Sequence, residues 1–156
     1  MRRTRFDDWP CPIARTTDLL GDWWTPLVLR QAFFGQRRFD EIQEAIGIPR
    51  AVLTDRLGRL VSEGVLDKRA YQERPVRYEY RLTDQGRDLW GVLAAMWRFG
   101  EDWRFADDPE ENILELVDRD TGRRIEPMVV DAETGEPLDV RRVRVRVRGG
   151  GEGAGR

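Results

Sequence analysis

The apolar positions of the chain recur at helical spacing in its middle and at alternating spacing near its end. Leu53, Leu57, Leu60 and Val61 follow an i, i+4, i+7, i+8 pattern, which predicts one buried face of a helix over residues 49–63. A shorter amphipathic helix over 39–45 precedes it, and the breaker Gly47-Ile48-Pro49 separates the two. The spacing therefore predicts a helix-turn-helix pair.

Two strand-like runs follow this pair, at residues 65–71 and 78–83. The basic segment 72–77, which contains Arg74, Pro75 and Arg77, is predicted to be the loop between them. A helix pair followed by a basic hairpin is the order of a winged helix-turn-helix, a shape that fits the major groove and the phosphates of DNA.

Three further helices are predicted, over residues 12–22, 23–34 and 84–103, with Thr83 as the N-cap of the last. Large apolar residues cover most of the circumference of the helix over 84–103, which favours a dimer interface; packing inside one chain is the alternative. The candidates for the dimer interface or for an effector pocket are Leu19, Trp23, Leu89, Trp90, Leu93, Trp97 and Trp103.

The pattern changes after the acidic boundary 107–111. Strands are predicted over 113–117, 125–130 and 142–148, with glycine-containing tight turns at 118–122 and 131–135. The fold class is thus α+β, mainly α. We expect a mobile arm over 1–10, a DNA-binding and dimerisation domain over 11–104, a small β appendage over 112–148 and a disordered tail over 149–156.

Charge is unevenly distributed along the chain. The net charge is −2, but residues 50–77 contain seven basic and four acidic residues, and residues 101–118 contain eight acidic residues against one arginine. The basic part is therefore the predicted nucleic-acid surface. The overall acidity leaves a second interpretation open, a winged helix that binds proteins and not DNA.

The predicted contacts to DNA lie on the helix over 49–63 and on the hairpin. Arginine suits guanine edges and phosphates, an aspartate can accept from cytosine, and a threonine can reach a phosphate. An ordinary solvated helix face and polar hairpin are the alternative. The predicted DNA-binding residues are Arg50, Thr54, Asp55, Arg56, Arg59, Arg74 and Arg77.

Missing residue types exclude several other functions. The chain has no histidine and one cysteine, which excludes Ser–His, Cys–His and histidine–metal catalysis and any cysteine-based zinc site within one chain. We therefore expect neither an enzyme nor a protein with a metal or cofactor. The absence of a long apolar run and of a signal peptide predicts a cytoplasmic protein without membrane contact.

Six segments carry a family pattern in this order along the chain: Cys11–Thr16, Leu19–Arg30, Arg38–Ile42, Leu53–Leu60, Glu63–Leu66 and Tyr78–Gly86. Together they resemble the HxlR-type transcriptional regulators, over roughly residues 9–103. The resemblance implies a homodimeric winged helix related to the MarR regulators, in a bacterial or archaeal cell. It also implies a repressor that binds a pseudo-palindromic double-stranded operator and is released by an oxidant or a small molecule.

The resemblance also draws attention to Cys11 and to the appendage. Several relatives carry a redox-sensing cysteine at the start of the first helix, where the helix N-terminus and Arg15 would favour the thiolate. A structural cysteine at a dimer seam is the alternative.

Longer relatives often end in a Cys-rich ribbon that holds a metal ion. The turns at 118–122 and 131–135 correspond to the ligand loops of that ribbon, but they contain no cysteine or histidine.

Overall fold

The computed structural model of the protein describes residues 5–146 and 148. Its elements confirm the predicted class, α+β and mainly α, with one two-stranded antiparallel sheet in the described part. In order they are α1 (Pro12–Leu20), α2 (Thr25–Phe33), α3 (Phe39–Ile46), α4 (Arg50–Ser62), β1 (Leu66–Glu73), β2 (Val76–Leu82), α5 (Asp84–Asp88), α6 (Trp90–Arg104) and two 3-10 turns, Pro109–Glu111 and Val140–Arg142.

The buried hydrophobic core lies entirely within the first half of the chain. Among the described residues, its nine members are at most 2% exposed: Val28, Leu29, Ile42, Ile48, Leu53, Leu57, Leu60, Val65 and Leu66. Three of them are the leucines that predicted the buried face of α4. Burial of each such side chain contributes about 1.5–3 kcal/mol, so this cluster fixes how α2, α3 and α4 pack.

The predicted helix-turn-helix is formed by α3 and α4. The carboxylate of Glu41 accepts hydrogen bonds from the backbone N–H groups of Arg38 (3.0 Å) and Arg37 (3.1 Å), which caps α3 and lowers the pKa of Glu41 below its ordinary value. Gly47 ends the helix with a φ of +65°, which favours glycine. Ile48, in the turn, is 1% exposed and therefore belongs to the core.

The wing is a hairpin that is paired almost to its tip. The register runs from Leu66 opposite Leu82 to Glu73 opposite Val76, with a bulge at the position of Tyr71. The expected six-residue loop over 72–77 is therefore wrong. Only Arg74 and Pro75 form the turn, because backbone pairing continues to Val76, and the peptide bond between these two residues is cis.

The long helix expected over 84–103 is interrupted at Leu89, so that prediction is also wrong in extent. Thr83 is confirmed as an N-cap, since its hydroxyl accepts a hydrogen bond from the N–H of Gly86 at 3.0 Å. Gly86 packs so closely that a Cβ there would lie 2.2 Å from the carbonyl oxygen of Val65. The break is marked by a tighter turn, in which Leu89 bonds back to Gly86 and Val92 to Leu89.

The chain divides into two compact units, Met1–Leu93 and Ala94–Arg156, so that the boundary falls within α6. In the second unit the predicted glycine turns are present, with φ of +67° at Gly122 and +71° at Gly135. The strands expected at 113–117 and 125–130 are wrong, because only single bridges form there, Val117 with Arg124 and Val130 with Pro137. No described residue from Ala94 onward is buried, so alternation there has no core face to reinforce it.

The last predicted strand, over 142–148, is not formed by the residues that the structure describes. Val140–Arg142 is a 3-10 turn, and residues 143–146 have no regular secondary structure. Val147 lies outside the described residues. The disordered tail predicted over 149–156 and the first four residues of the predicted arm over 1–10 also lie outside them.

Candidate nucleic-acid interface

The side of α4 that faces away from the core presents exposed residues at 50, 51, 54, 55 and 58. The leucines of α4 occupy the opposite side, so the helix has one buried and one free face. Arg50 is the cation at the start of this free face. Its guanidinium lies 4.7 Å from the centre of the Phe39 ring and 3.8 Å from the carboxylate of Asp40, and its side chain is 72% exposed.

Thr54 and Asp55 lie one turn further along the free face. The Thr54 hydroxyl donates to the carbonyl of Arg50 at 2.9 Å, so its oxygen still has acceptor capacity. The carboxylate of Asp55 pairs with Arg56 at 2.6 Å while its side chain remains 71% exposed. This stretch of α4 therefore offers both donors and acceptors of the kind that read base edges.

Arg56 and Arg59 are held by other parts of the chain. Arg56 Nε lies 2.9 Å from Asp22 Oδ1, and Arg59 Nη2 lies 2.8 Å from Asp18 Oδ2 and 2.7 Å from the Asp18 carbonyl. The two arginine side chains are only 21% and 22% exposed. A wheel of α4 predicts that Arg59 points outward, but its long side chain folds back to reach Asp18.

Asp18 and Asp22 are thus functional candidates that the sequence reasoning missed. Asp18 is 4% exposed, at the inner side of α1. Asp22 lies in the loop after α1, where it accepts from the N–H groups of Trp24 (2.9 Å) and Thr25 (3.0 Å) and from the Thr25 hydroxyl. These hydrogen bonds explain why α2 begins at Thr25 and not at residue 23, and an Asp three residues before a Thr is a signal that sequence reading could have used.

The pKa of Asp22 records this environment. Burial raises the pKa, but the hydrogen bonds from Thr25 and Trp24 and the charge of Arg56 outweigh burial, so the pKa lies below its ordinary value. Asp22 therefore remains ionised and keeps its ion pair with Arg56 at neutral pH. Together the pairs Asp18–Arg59 and Asp22–Arg56, which we call the α4 clamp, fix α4 against α1 and the loop that follows.

The wing, which follows the helix pair along the chain, carries exposed basic side chains. Arg74 and Arg77 are exposed, and the carbonyl of Arg74 accepts from Gln72 Nε2 at 3.2 Å. The ammonium of Lys68 lies 4.2 Å from the centre of the Tyr78 ring. The remaining wing cations are partnered, Arg69 with Asp67 and Arg81 with Glu79.

Cys11 directly precedes α1 and is half-buried, as a free cysteine. Its carbonyl accepts from the N–H of Arg15 at 3.1 Å. The guanidinium of Arg15 donates to the carbonyl of Trp9 at 2.7 Å, so the cation expected to favour the thiolate is bonded to the backbone.

The seven residues predicted for a dimer interface or an effector pocket fall into different environments. Leu19, Leu89 and Leu93 pack partly against the core, and the Trp90 ring lies 5.2 Å from the Phe33 ring. Trp97 is half-buried, whereas Trp23 and Trp103 are 91% and 72% exposed.

Two clefts in the described part of the chain, of about 360 and 640 Å³, are lined by other residues. Within the described residues, no group of three or more acidic or cysteine side chains is arranged to hold a metal ion. Nor does any described helix have the length and apolar character needed to cross a membrane.

Comparison with known proteins places the chain in a family. The HxlR-like helix-turn-helix family model matches residues 19–108. The HTH-type transcriptional regulator Rv3095 of Mycobacterium tuberculosis is 37% identical over 131 residues, which cover 84% of this chain and 82% of the relative. The regulator sll1512 of Synechocystis is 41% identical over 105 residues, 67% of this chain and 78% of that protein.

Comparison with solved structures supports the same family. The structure of PA1607, described as a candidate transcription factor, matches with a TM-score of 0.81 and 39% identity, and covers 92% of this chain and 99% of that one. The reduced form of the redox regulator HypR matches with a TM-score of 0.58 and 28% identity, over 63% of this chain and 98% of that one. The chain therefore belongs to the HxlR family of helix-turn-helix transcriptional regulators.

Proposed function

We propose that the protein is a homodimeric, sequence-specific repressor that leaves its operator when a thiol is oxidised or a small effector binds. The observation that carries DNA recognition is the free face of α4, where Arg50, Thr54 and Asp55 are exposed while the leucines anchor the opposite side. A helix held in this way can enter a major groove while its packing against the core stays intact.

The arginines of the interface have two different roles in this proposal. Arg50 contacts bases or phosphates from α4, and Arg74 and Arg77 contact phosphates or the minor groove from the wing. Arg56 and Arg59 support binding through the α4 clamp, since their guanidinium groups are already paired with Asp22 and Asp18.

The dimer is proposed from the exposed apolar stripe of α6. Val92, Met96, Phe99 and Trp103 are 38%, 51%, 61% and 72% exposed and follow each other at four-, three- and four-residue intervals on one side of the helix. A second copy would remove this stripe from water and would present two α4 helices to a pseudo-palindromic operator, about one helical turn apart.

The redox release is proposed through Cys11. HypR is described as a redox regulator, and the structure of YodB treated with diamide matches this chain with a TM-score of 0.50 and 30% identity. With a single cysteine in the chain, oxidation yields a disulfide between subunits, a mixed disulfide or a sulfenic acid. A structural cysteine at the dimer seam is the alternative, with a small molecule as the signal.

The DNA proposal is tested by fluorescence anisotropy with labelled DNA from the intergenic region upstream of the gene. We expect Arg50→Ala to weaken specific binding by about 5- to 150-fold for each half-site of the operator, the value of one good base contact. Arg74→Gln and Arg77→Gln should weaken binding at every site and lower the salt dependence, by about 0.9 in the logarithmic slope for each phosphate that is no longer neutralised. Arg119→Gln, an exposed arginine of the second unit, is the control.

Equal affinity for operator and unrelated DNA would contradict the proposal and favour the protein-interaction module.

The dimer is tested by measuring the molecular mass in solution, where Phe99→Glu should have half the mass of the wild type. The redox release is tested with diamide, which should free the operator from the wild type but not from Cys11→Ser. If both proteins are released or both stay bound, Cys11 is not the switch.

A further inference from the structure

The segment after the appendage carries an unusual density of positive charge. Residues 140–146, which we call the basic arm, read Val-Arg-Arg-Val-Arg-Val-Arg and contain four arginines and no acid. All seven side chains are exposed, with Val140 at 84% and Val145 at 97%. The arm therefore adds nothing to a core, and its composition needs another explanation.

Among the described residues, acidic partners are present only for the beginning of the basic arm. Arg141 pairs with Asp139 at 3.2 Å and Arg142 with Glu136 at 3.7 Å. Arg144 and Arg146 have no acidic partner in the part of the chain that the structure describes. In a protein with a net charge of −2, two such guanidinium groups within three residues favour an anionic partner that comes from outside the chain.

The spacing of these arginines suits a repeated anion. Val143 is extended, and Arg144 and Arg146 follow it two residues apart with both side chains exposed. Duplex DNA offers a phosphate every ~3.4 Å along each strand, whatever its sequence, so a row of arginines finds acceptors at any register. The arm also lies beyond residues 19–108, the part that matches the helix-turn-helix family.

We propose that the basic arm binds the phosphates of duplex DNA next to the operator, and adds affinity without adding sequence preference. This proposal rests on the proposed DNA-binding function and extends it. An acidic protein partner is the competing occupant; its carboxylates would pair with the arginines, and its backbone could pair with the backbone of the arm as an added strand.

The test compares Arg144→Gln/Arg146→Gln with the matched control Arg119→Gln/Arg123→Gln, which removes the same charge from exposed positions of the same unit. Binding is measured on a minimal operator duplex and on one extended by about one helical turn on each side. The salt concentration is varied from about 50 to 200 mM.

We expect the arm variant to match the wild type on the minimal duplex. On the extended duplex its logarithmic salt slope should be smaller by about 3.6, at about 0.9 for each of the four phosphates that the two arms of the proposed dimer no longer bind. The control should follow the wild type on both duplexes, and changing the bases of the flanks should leave all affinities unchanged.

Three results would overturn the proposal for the basic arm. The first is an equal salt slope for the arm variant and the wild type on the extended duplex, and the second is an equal reduction of the slope in the control variant. The third is an affinity that depends on the sequence of the flanks. A change in oligomeric mass without a change in salt slope would assign the arm to a protein. If the wild type shows no operator selectivity, the proposed function fails. In that case the proposal that the arm binds phosphates is still supported if the arm variant has a smaller salt slope than the wild type for non-selective binding to long duplexes.

Discussion

The winged-helix core and the appendage achieve local order by different physical means. Residues 28–66 supply all nine buried hydrophobic side chains of the described chain, whereas no described residue from 94 onward is buried. In the appendage, order comes from side chains that accept backbone hydrogen bonds. Asp118 Oδ1 accepts from the N–H groups of Asp120 and Thr121 and from the Thr121 hydroxyl, and Asp131 Oδ1 accepts from Glu133 and Thr134.

The difference shows which substitutions each region tolerates. A core held by burial depends on volume and shape, and is insensitive to the charge of its surface. A turn held by one carboxylate depends on a single acceptor, and removing that acceptor has only local consequences because nothing large packs on the turn. The appendage is thus the part of the chain where polar identity, and not hydrophobic volume, decides the structure.

The largest expected effect is on the core. Leu57→Ala should lower the free energy of unfolding by about 2–5 kcal/mol, because it removes a fully buried side chain and leaves a cavity. The matched control is Ile125→Ala in the appendage, which should change the main transition by about 1 kcal/mol or less. Urea denaturation measures both, and equal losses would remove the distinction between the two regions.

Substitutions in the α4 clamp should have the next largest effect on the free energy of unfolding, because its ion pairs add polar contacts to a unit that is otherwise held by apolar burial. Asp18→Asn and Arg59→Gln should each cost about 1–3 kcal/mol, since each removes one charged hydrogen-bond partner of a mostly buried group. The double variant should cost clearly less than the sum of the two. Additive losses in this double-mutant cycle would show that the pair does not act as a unit.

Acid should weaken the same region through Asp22. Its pKa is lowered by folding, so its stabilising contribution is complete above the ordinary value of 3.8 and is lost as the pH falls through the folded value. Asp22→Asn should therefore be less stable than wild type at neutral pH and lose less stability below about pH 4. Parallel stability curves for the two proteins would contradict this assignment.

The smallest effect on global stability should come from the appendage turn. Asp118→Ala removes the carboxylate that accepts the hydrogen bonds of the turn and leaves the packing of the core unchanged. Amide hydrogen exchange at Asp120 and Thr121 should therefore become faster, while the midpoint of the main unfolding transition stays the same. The hydrogen bonds from Thr121 and Asp120 also lower the pKa of Asp118 below its ordinary value. The control is Asp120→Ala, which removes a neighbouring charge and should leave the amide exchange of Thr121 unchanged. A shift of the unfolding midpoint in Asp118→Ala would contradict a purely local role of this turn.

The sequence predicted the features whose cause lies within a few residues. The leucine spacing of α4 gave its buried face, Thr83 gave the cap of α5, and Gly122 and Gly135 gave the turns of the appendage. In each case the determining property belongs to one residue or to one helical period. The fold class followed from these local signals taken in order, whereas the family came from the resemblance of whole segments to the HxlR-type regulators.

The features that the sequence did not predict depend on distant partners. Arg59 meets Asp18 across 41 positions of the chain, and no periodicity in α4 encodes that pairing. The alternation at 113–117 predicts a strand only if a neighbouring strand and a buried face are present, and the appendage supplies neither beyond one bridge. The proposed DNA contacts of the free face remain predictions for the binding experiments.

The close packing of Gly86 against the Val65 carbonyl has a consequence for how this protein can evolve. Any substitution at this position places a Cβ 2.2 Å from a backbone oxygen, and that oxygen already accepts a hydrogen bond from the N–H of Thr83 at 3.1 Å. The carbonyl cannot move away without weakening this hydrogen bond. In a saturation-mutagenesis library scored for stable folding, every substitution at position 86, including alanine, should therefore be destabilising. Many substitutions should be tolerated in the same library at the solvent-facing Gly58 of α4, where a Cβ meets nothing within 4 Å.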